Sequence, residues 1–284
     1  MKNGVFCISI DLELLWGRRN RKEMDLFIPL IKNENGLSGV VSSLLSLFKK
    51  YSIPATWAIV GKIFVKSNEK DSCLWSGTNL INLIQGNPFQ EIACHSYTHP
   101  EFDQIPESQA EEELKKCVEI ARKNNIKLSS FVYPRNKIKY LHLLKKYSFS
   151  CYRGDVINYL EFSNPFKDIF KIISMLIIPK TAKISYKEGL INIPGTMYFF
   201  STRGLRRYTP YGIKYWKAKK SIDQAISRKK LFHLWFHPVD FAKNKDRQLK
   251  ELEKILVYAS QKQKLGLLEI KNMKQISDNI NYFL

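Results

Sequence analysis

Two histidines four residues apart, in His95-Ser-Tyr-Thr-His99, have the spacing of a metal-ligand pair. Pro100 follows at once, so the pair belongs to a loop rather than a helix. Two imidazoles and one carboxylate would leave zinc an open position for water, as a hydrolytic site requires. Carboxylates are at hand in Asp11 and Glu13, two residues apart in the apolar run Cys7–Gly17. On a regular strand both point the same way. The competing arrangement, one buried acid and one surface acid, is costly in such apolar surroundings. Arg135 and Asn136 follow Pro134, and His237 follows the apolar run Leu231–Phe236. His233, Trp235 and His237 alternate onto one face of that run. His237, at its end, is placed to donate a proton, and His233 reads as a satisfied core histidine. His142, in a lysine-rich segment, reads as a surface residue.

These groups must be brought together by the elements that carry them. Strands are expected at Val5–Leu14, Pro54–Val60, Glu91–Cys94, Leu128–Tyr133, Phe149–Tyr152, Lys230–Phe236 and Leu267–Ile270, from their β-branched and apolar runs. Between them lie helical patterns at Gly36–Tyr51, Pro106–Asn125, Ile138–Tyr147 and Asp246–Lys264. The helix from Pro106 has acids in its first turn and bases near its end, matching the helix dipole. This alternation predicts an α/β fold, a (β/α) barrel in distorted or seven-stranded form, as one domain over residues 1–284. Residues 155–230 break the alternation and are set apart as an insertion. Within it, Phe162–Ile178 is an amphipathic stretch, either buried or laid on a membrane. Each polar group above falls at the C-terminal end of a strand, and in a parallel barrel those ends share one face, where barrel active sites form.

Composition bounds the remainder. The five cysteines include no CxxC pair, which argues against a disulfide framework or a cysteine-based zinc site. The chain begins without an apolar leader pattern, and no apolar run approaches the ~20 residues that span a bilayer. The expected location is therefore the cytoplasm, with peripheral contact at the inner membrane face. A formal charge of +20 favours anionic partners. Arg203, Arg206, Arg207 and Lys214, interleaved with aromatics, are the candidates for gripping a phosphate. Nucleic-acid binding is suggested by charge alone and is not adopted.

In order along the chain, "SIDLE", "HSYTH", "SFVYPRN" and "LFHLWFHP" resemble the motifs of the polysaccharide deacetylase (NodB-homology) family, in a branch associated with surface-polysaccharide biosynthesis. The resemblance implies that Asp11 is the general base, that Glu13, His95 and His99 hold a divalent metal ion, with zinc the expected one, and that His237 is the general acid. It implies hydrolysis of an N-acyl group, usually N-acetyl, from an amino sugar in a surface-glycan precursor. The lack of a leader pattern adds the expectation of cytoplasmic precursors, phosphorylated or lipid-linked, which carry phosphate on a nucleotide or polyprenyl carrier. Hydrolysis of a non-sugar amide or ureide on the same scaffold is the alternative, and a non-catalytic glycan-binding module is a third reading. The chain departs from the family pattern twice. Glu13 stands where an aspartate is usual. Val132 stands where an arginine often precedes the motif's proline, and Arg135, just after Pro134, is expected to take over the task of steadying the base.

Overall fold

The computed structural model describes residues 2–18, 20–32, 36–67, 71–154 and 179–279. Its centre is β1 (Gly4–Leu12), buried along its whole length. A strand covered on both faces must be apolar throughout, which explains the unbroken run Val5 to Ile10, interrupted only by Ser9. Parallel neighbours extend from it: β2 (Ala55–Ile59), β3 (Gln90–Cys94), β4 (Ser130–Val132) and β5 (Cys151–Arg153) on one side, and β9 (Leu231–Phe236) on the other. The short β10 (Leu268–Ile270) pairs with the first residues of β1.

The segment Leu190–Tyr198 joins the two flanks of this curled sheet. Its first part, β7 (Leu190–Asn192), pairs with β5, and its last, β8 (Met197–Tyr198), pairs with β9. The hydrogen bonds pass from Ile193 N to Tyr152 O and then from Thr196 N to His233 O. Pro194 and Gly195 make the bend between them. A Cβ on Gly195 would lie 3.0 Å from the Trp235 ring, so only glycine lets the backbone pass this close. Counting this segment once, the described residues place β1 to β5, the segment and β9 around the ring, seven positions in all. A two-residue turn at Glu188–Gly189, both with positive φ, adds β6 (Ser185–Lys187) as an antiparallel edge.

Helices cover the outside. They are α1 (Arg21–Lys32), α2 (Leu37–Lys50), α3 (Thr78–Gln85), α4 (Glu107–Lys123), α5 (Leu141–Lys146), α6 (Ile213–Arg228), α7 (Lys245–Lys264) and α8 (Met273–Ser277). The buried face of α2 (Leu37, Val40, Val41, Leu44, Leu45 and Phe48) has the expected helical spacing. The stretch 155–230 is framework as well as insertion, because its described residues supply β7, β8 and α6. The amphipathic stretch Phe162–Ile178 lies outside the described residues. Among the described residues no helix is long and apolar enough to cross a membrane.

The end of the sheet opposite the strands' C-termini is closed by a polar knot. Glu91 is buried and accepts hydrogen bonds from Thr56 Oγ1 (2.7 Å), Ser130 Oγ and the backbone N of Lys274 (2.9 Å). Burial pushes its pKa up, and these hydrogen bonds hold it back only in part. Glu91→Ala would strand three buried donors, each costing about 1–3 kcal/mol. The variant should unfold at clearly lower urea concentration, and Glu91→Gln, which keeps one acceptor, at an intermediate one. Equal midpoints for wild type and Glu91→Ala would refute this account.

Candidate active site

The strand ends deliver the polar side chains to one cavity of about 420 Å³, lined by Asp11, Glu13, Gly17, Arg18, Glu23, His99, Arg135, Asn136, Arg153, Trp235 and His237. Asp11 is the penultimate residue of β1 and Glu13 follows the strand. His95 and His99 lie in the loop after β3, and His237 directly after β9. Five non-glycine residues of these strand-end segments, Leu14, Ser96, His99, Arg135 and Asn136, have positive φ. Such conformations are disfavoured for side-chain-bearing residues, and they persist where surrounding contacts over-determine them.

Glu13 is the focus. Its Oε1 lies 3.1 Å from His99 Nε2, 3.3 Å from His95 Nε2 and 3.3 Å from His237 Nε2. Its Oε2 accepts from Arg18 at 2.6 Å. The longer acid fits because residue 17 has no side chain: a Cβ on Gly17 would lie 1.8 Å from Oε2. Burial opposes the charge on Glu13, but His237, His99 and His95 outweigh it and hold the carboxyl well below its ordinary pKa.

This donor set suits a cation. His95 Nδ1 donates to Val132 O at 2.7 Å, so the neutral ring turns an Nε2 lone pair toward the Glu13 oxygen. Two lone pairs facing each other at 3.3 Å call for positive charge at the junction, a proton on the ring or a metal ion. Burial pushes the His99 pKa down against the pull of Glu13, favouring the neutral imidazole that a metal needs. The Glu13, His95 and His99 donor atoms lie within 4.8 Å of one another, as do those of Asp11, Glu13 and His237.

Asp11 is held by a different arginine from the one expected. Arg153 donates from both terminal nitrogens, at 2.8 Å to Oδ1 and 2.6 Å to Oδ2, a bidentate pair buried on both sides. Burial alone would raise the Asp11 pKa, but Arg153 brings it below the ordinary value. Arg135 lines the cavity without reaching Asp11. It donates to Gly17 O at 3.1 Å and pairs with Glu101 at 3.4 Å. The register explains the exchange: Val132 and Arg153 are direct partners on β4 and β5. The guanidinium missing at Val132 is thus supplied from one strand over. Arg153 is fixed in turn by Ser9, whose hydroxyl accepts from it at 2.7 Å and donates to His233 Nε2 at 2.8 Å. His233, fully buried, donates Nδ1–H to Ile193 O, and burial beside Arg153 depresses its pKa to about 3, so the ring stays neutral.

Two further acids had not been singled out. Asp240, at the end of "HPVD", accepts from His237 Nδ1 at 3.1 Å, from the His237 backbone N at 3.1 Å and from Tyr198 Oη at 2.7 Å. It fixes the ring with Nε2 toward Glu13. Burial opposes a charge on His237, but Glu13 and Asp240 overcome it and raise the pKa to about 10. Glu113 on α4 accepts from the backbone N of Tyr97 (2.8 Å) and Thr98 (2.7 Å) and from Thr98 Oγ1 (2.6 Å), pinning the loop between the two histidines. A carboxylate three residues past His237, and one among the buried positions of α4, were the available signals. Lys214, expected to grip a phosphate, is instead out of reach of one. It is buried on α6, paired with Glu251 at 3.4 Å and bonded to Phe200 O at 3.2 Å. Arg207 is engaged by its exposed neighbour Tyr208.

Removing Arg153 would leave Asp11 a buried, unpaired charge. Arg153→Gln should cost about 3–5 kcal/mol of stability. Most of that loss should return in the double variant with Asp11→Asn, measured by urea unfolding. Arg135→Gln should leave stability nearly unchanged. Additive losses in the double variant would contradict the pairing.

Comparison with known proteins places this geometry. Residues 31–148 match the model of the polysaccharide deacetylase family. No curated protein matches the sequence. Among solved structures, a Mycobacterium smegmatis protein assigned to the polysaccharide deacetylases superposes with a TM-score of 0.68 at 12% identity, covering 99% of this chain and 91% of that one. A Pseudomonas aeruginosa protein with the same assignment gives 0.65 at 13%, covering 98% and 91%. Puue allantoinase gives 0.67 at 13%, covering 98% and 90%. At these identities the superpositions speak for the fold, while the family match, over residues 31–148, takes in His95, His99 and the Pro134 turn: that part of the chain is similar to the polysaccharide deacetylase family.

Proposed function

We propose that this protein is a metal-dependent deacetylase that removes an N-acyl group, normally N-acetyl, from an amino sugar in a surface-glycan precursor. The observation that carries the reading is the meeting of three imidazole nitrogens on one Glu13 oxygen, beside an aspartate clamped by arginine. Glu13, His95 and His99 would hold a divalent ion, and mixed imidazole and carboxylate donors suit zinc. When bound, it supplies polarisation of the acyl carbonyl and a lowered pKa for water.

The chain's own residues perform the proton transfers. Asp11, kept ionised and aimed by Arg153, accepts a proton from the attacking water. His237, charged at neutral pH and oriented by Asp240, gives its Nε2 proton to the leaving nitrogen. The amide C–N bond then breaks to a free amine and a carboxylate. Trp235, stacked on Tyr198 with ring centroids 4.5 Å apart, forms an aromatic wall on which a sugar face can rest. The net charge favours carrier-linked phosphorylated precursors, in the cytoplasm or at the inner membrane face. A second reading, hydrolysis of a ureide C–N bond, has the support of the fold shared with Puue allantoinase.

His95→Ala and His99→Ala should lose bound metal by elemental analysis as well as activity. Asp11→Asn and His237→Ala should keep their metal and lose roughly 10²–10⁴ in turnover. Because the His237 pKa is raised, the acid form persists through neutrality and its loss sets the alkaline limb of the wild-type profile, while protonation of Asp11 sets an acid limb well below neutrality. A cation at Glu13 brings the alkaline limb toward neutral pH, and His237→Ala should abolish it. Acetate release from N-acetylated sugars, assayed beside ammonia or urea release from ureides, separates the two substrates. Metal content near wild type in both histidine variants would reject the assignment.

A further inference from the structure

Three guanidinium groups converge beside His237. Arg18, following the β1 turn, and Arg203, in the segment after β8, both sit over the ring of Phe27 on α1, at 4.1 and 4.2 Å from its centroid. Arg206 lies over Tyr198 at 6.0 Å and Phe200 at 5.7 Å. Stacking on aromatic rings fixes the guanidinium planes and directs their N–H groups sideways; Arg18 gives one to Glu13 and Arg203 gives its Nε–H to Ser201 Oγ at 2.9 Å, and the remaining N–H groups can meet a planar or tetrahedral anion. Two of the local acids are already shared. Glu13 faces three imidazoles besides Arg18, and Asp240 faces His237 and Tyr198 besides Arg203, 3.5 Å away. Arg206 forms no ion pair among the described residues, and Arg18 Nε is buried without a hydrogen-bond partner. Burial pushes the Arg203 pKa down; Asp240 and Tyr198 oppose the shift, and the nearby charges of Arg18 and Arg206 add to it.

We propose that Arg18, Arg203 and Arg206 form an anion subsite that takes a phosphate or carboxylate group on the amine-bearing half of the substrate. The inference rests on the proposed deacetylation for its orientation. His237 protonates the leaving amine, and Arg203 lies against Asp240, which holds His237, so the group beyond the acid belongs to the sugar and not to the acyl group. A monoanion or dianion there would relieve the repulsion among the arginines and accept charge-assisted hydrogen bonds.

Arg206 touches no proposed metal ligand and neither proton-transfer residue, so Arg206→Gln tests the subsite without dismantling the chemistry. With metal-loaded protein, KM should be roughly tenfold lower for N-acetylglucosamine 1-phosphate, or for an N-acetylated amino sugar with a carboxylate, than for N-acetylglucosamine. A gain with only one of the two charged sugars identifies the anion. Arg206→Gln should erase the gain, leaving kcat and the neutral sugar's KM unchanged. Calorimetry adds a measurement independent of turnover. N-acetylglucosamine 1-phosphate should bind roughly tenfold more weakly to Arg206→Gln than to wild type, whereas a phosphate held at the metal would be indifferent to the change. Equal KM values for all three sugars, or calorimetry insensitive to Arg206→Gln, would overturn the subsite and leave the deacetylase reading standing. If no sugar amide is cleaved but Arg206→Gln still weakens binding, the deacetylase reading falls and the anion subsite stands.

Discussion

Two carboxylates at the end of a fully buried strand set the terms for everything around them. Asp11 and Glu13 are removed from water, and an ionised carboxylate is stable there only with positive or hydrogen-bonding partners on every side. Arg153 meets the first and Arg18 with three imidazoles the second. Besides Arg18, in the turn after β1, those partners come from three other segments of chain. The sheet must therefore curl until the ends of β1, β3, β5 and β9 face one cavity, and the loops must take up left-handed backbone to complete the approach.

The two acids are kept distinct by what surrounds them. Asp11 is held by a bidentate guanidinium that favours its ionised form. Glu13 is turned toward three imidazole nitrogens, an arrangement that calls for positive charge between the groups. His237 joins the two halves: its Nε2 faces Glu13, and its Nδ1 is held by Asp240. Pairs of titratable groups driven apart by their environments are a recurring way to separate acid and base within one site.

Support for the site is spread through the barrel. Ser9 and the neutral His233 brace Arg153 from inside the sheet, and Glu113 braces the histidine loop from α4. At the far end, Glu91 ties β2, β3 and β4 to the start of α8. A candidate site at the strand C-termini and a stabilising knot at the opposite end follow the general pattern of βα barrels.

The sequence by itself determined the parts whose signal is local. Strand and helix periodicity located β1, β2, β3, β4, β9, α2, α4 and α7, and the spacing of His95, His99, Asp11, Glu13 and His237 marked the residues that line or border the cavity. It missed α1, α3 and α6: Pro29 lies inside α1, α3 is eight residues long, and α6 is rich in lysine. Only the tertiary structure decided which arginine holds Asp11. Arg135 neighbours the motif in sequence, but cross-strand register brings Arg153, 142 residues from Asp11, into the pair. Tertiary packing likewise buried Lys214 against Glu251 of a second helix and joined Arg18, Phe27 and Arg203 at one rim. The physical reason is common to these cases. Periodicity reports which face of an element is apolar, whereas the partner of a buried charge is fixed by strand register and helix packing between residues far apart in the chain.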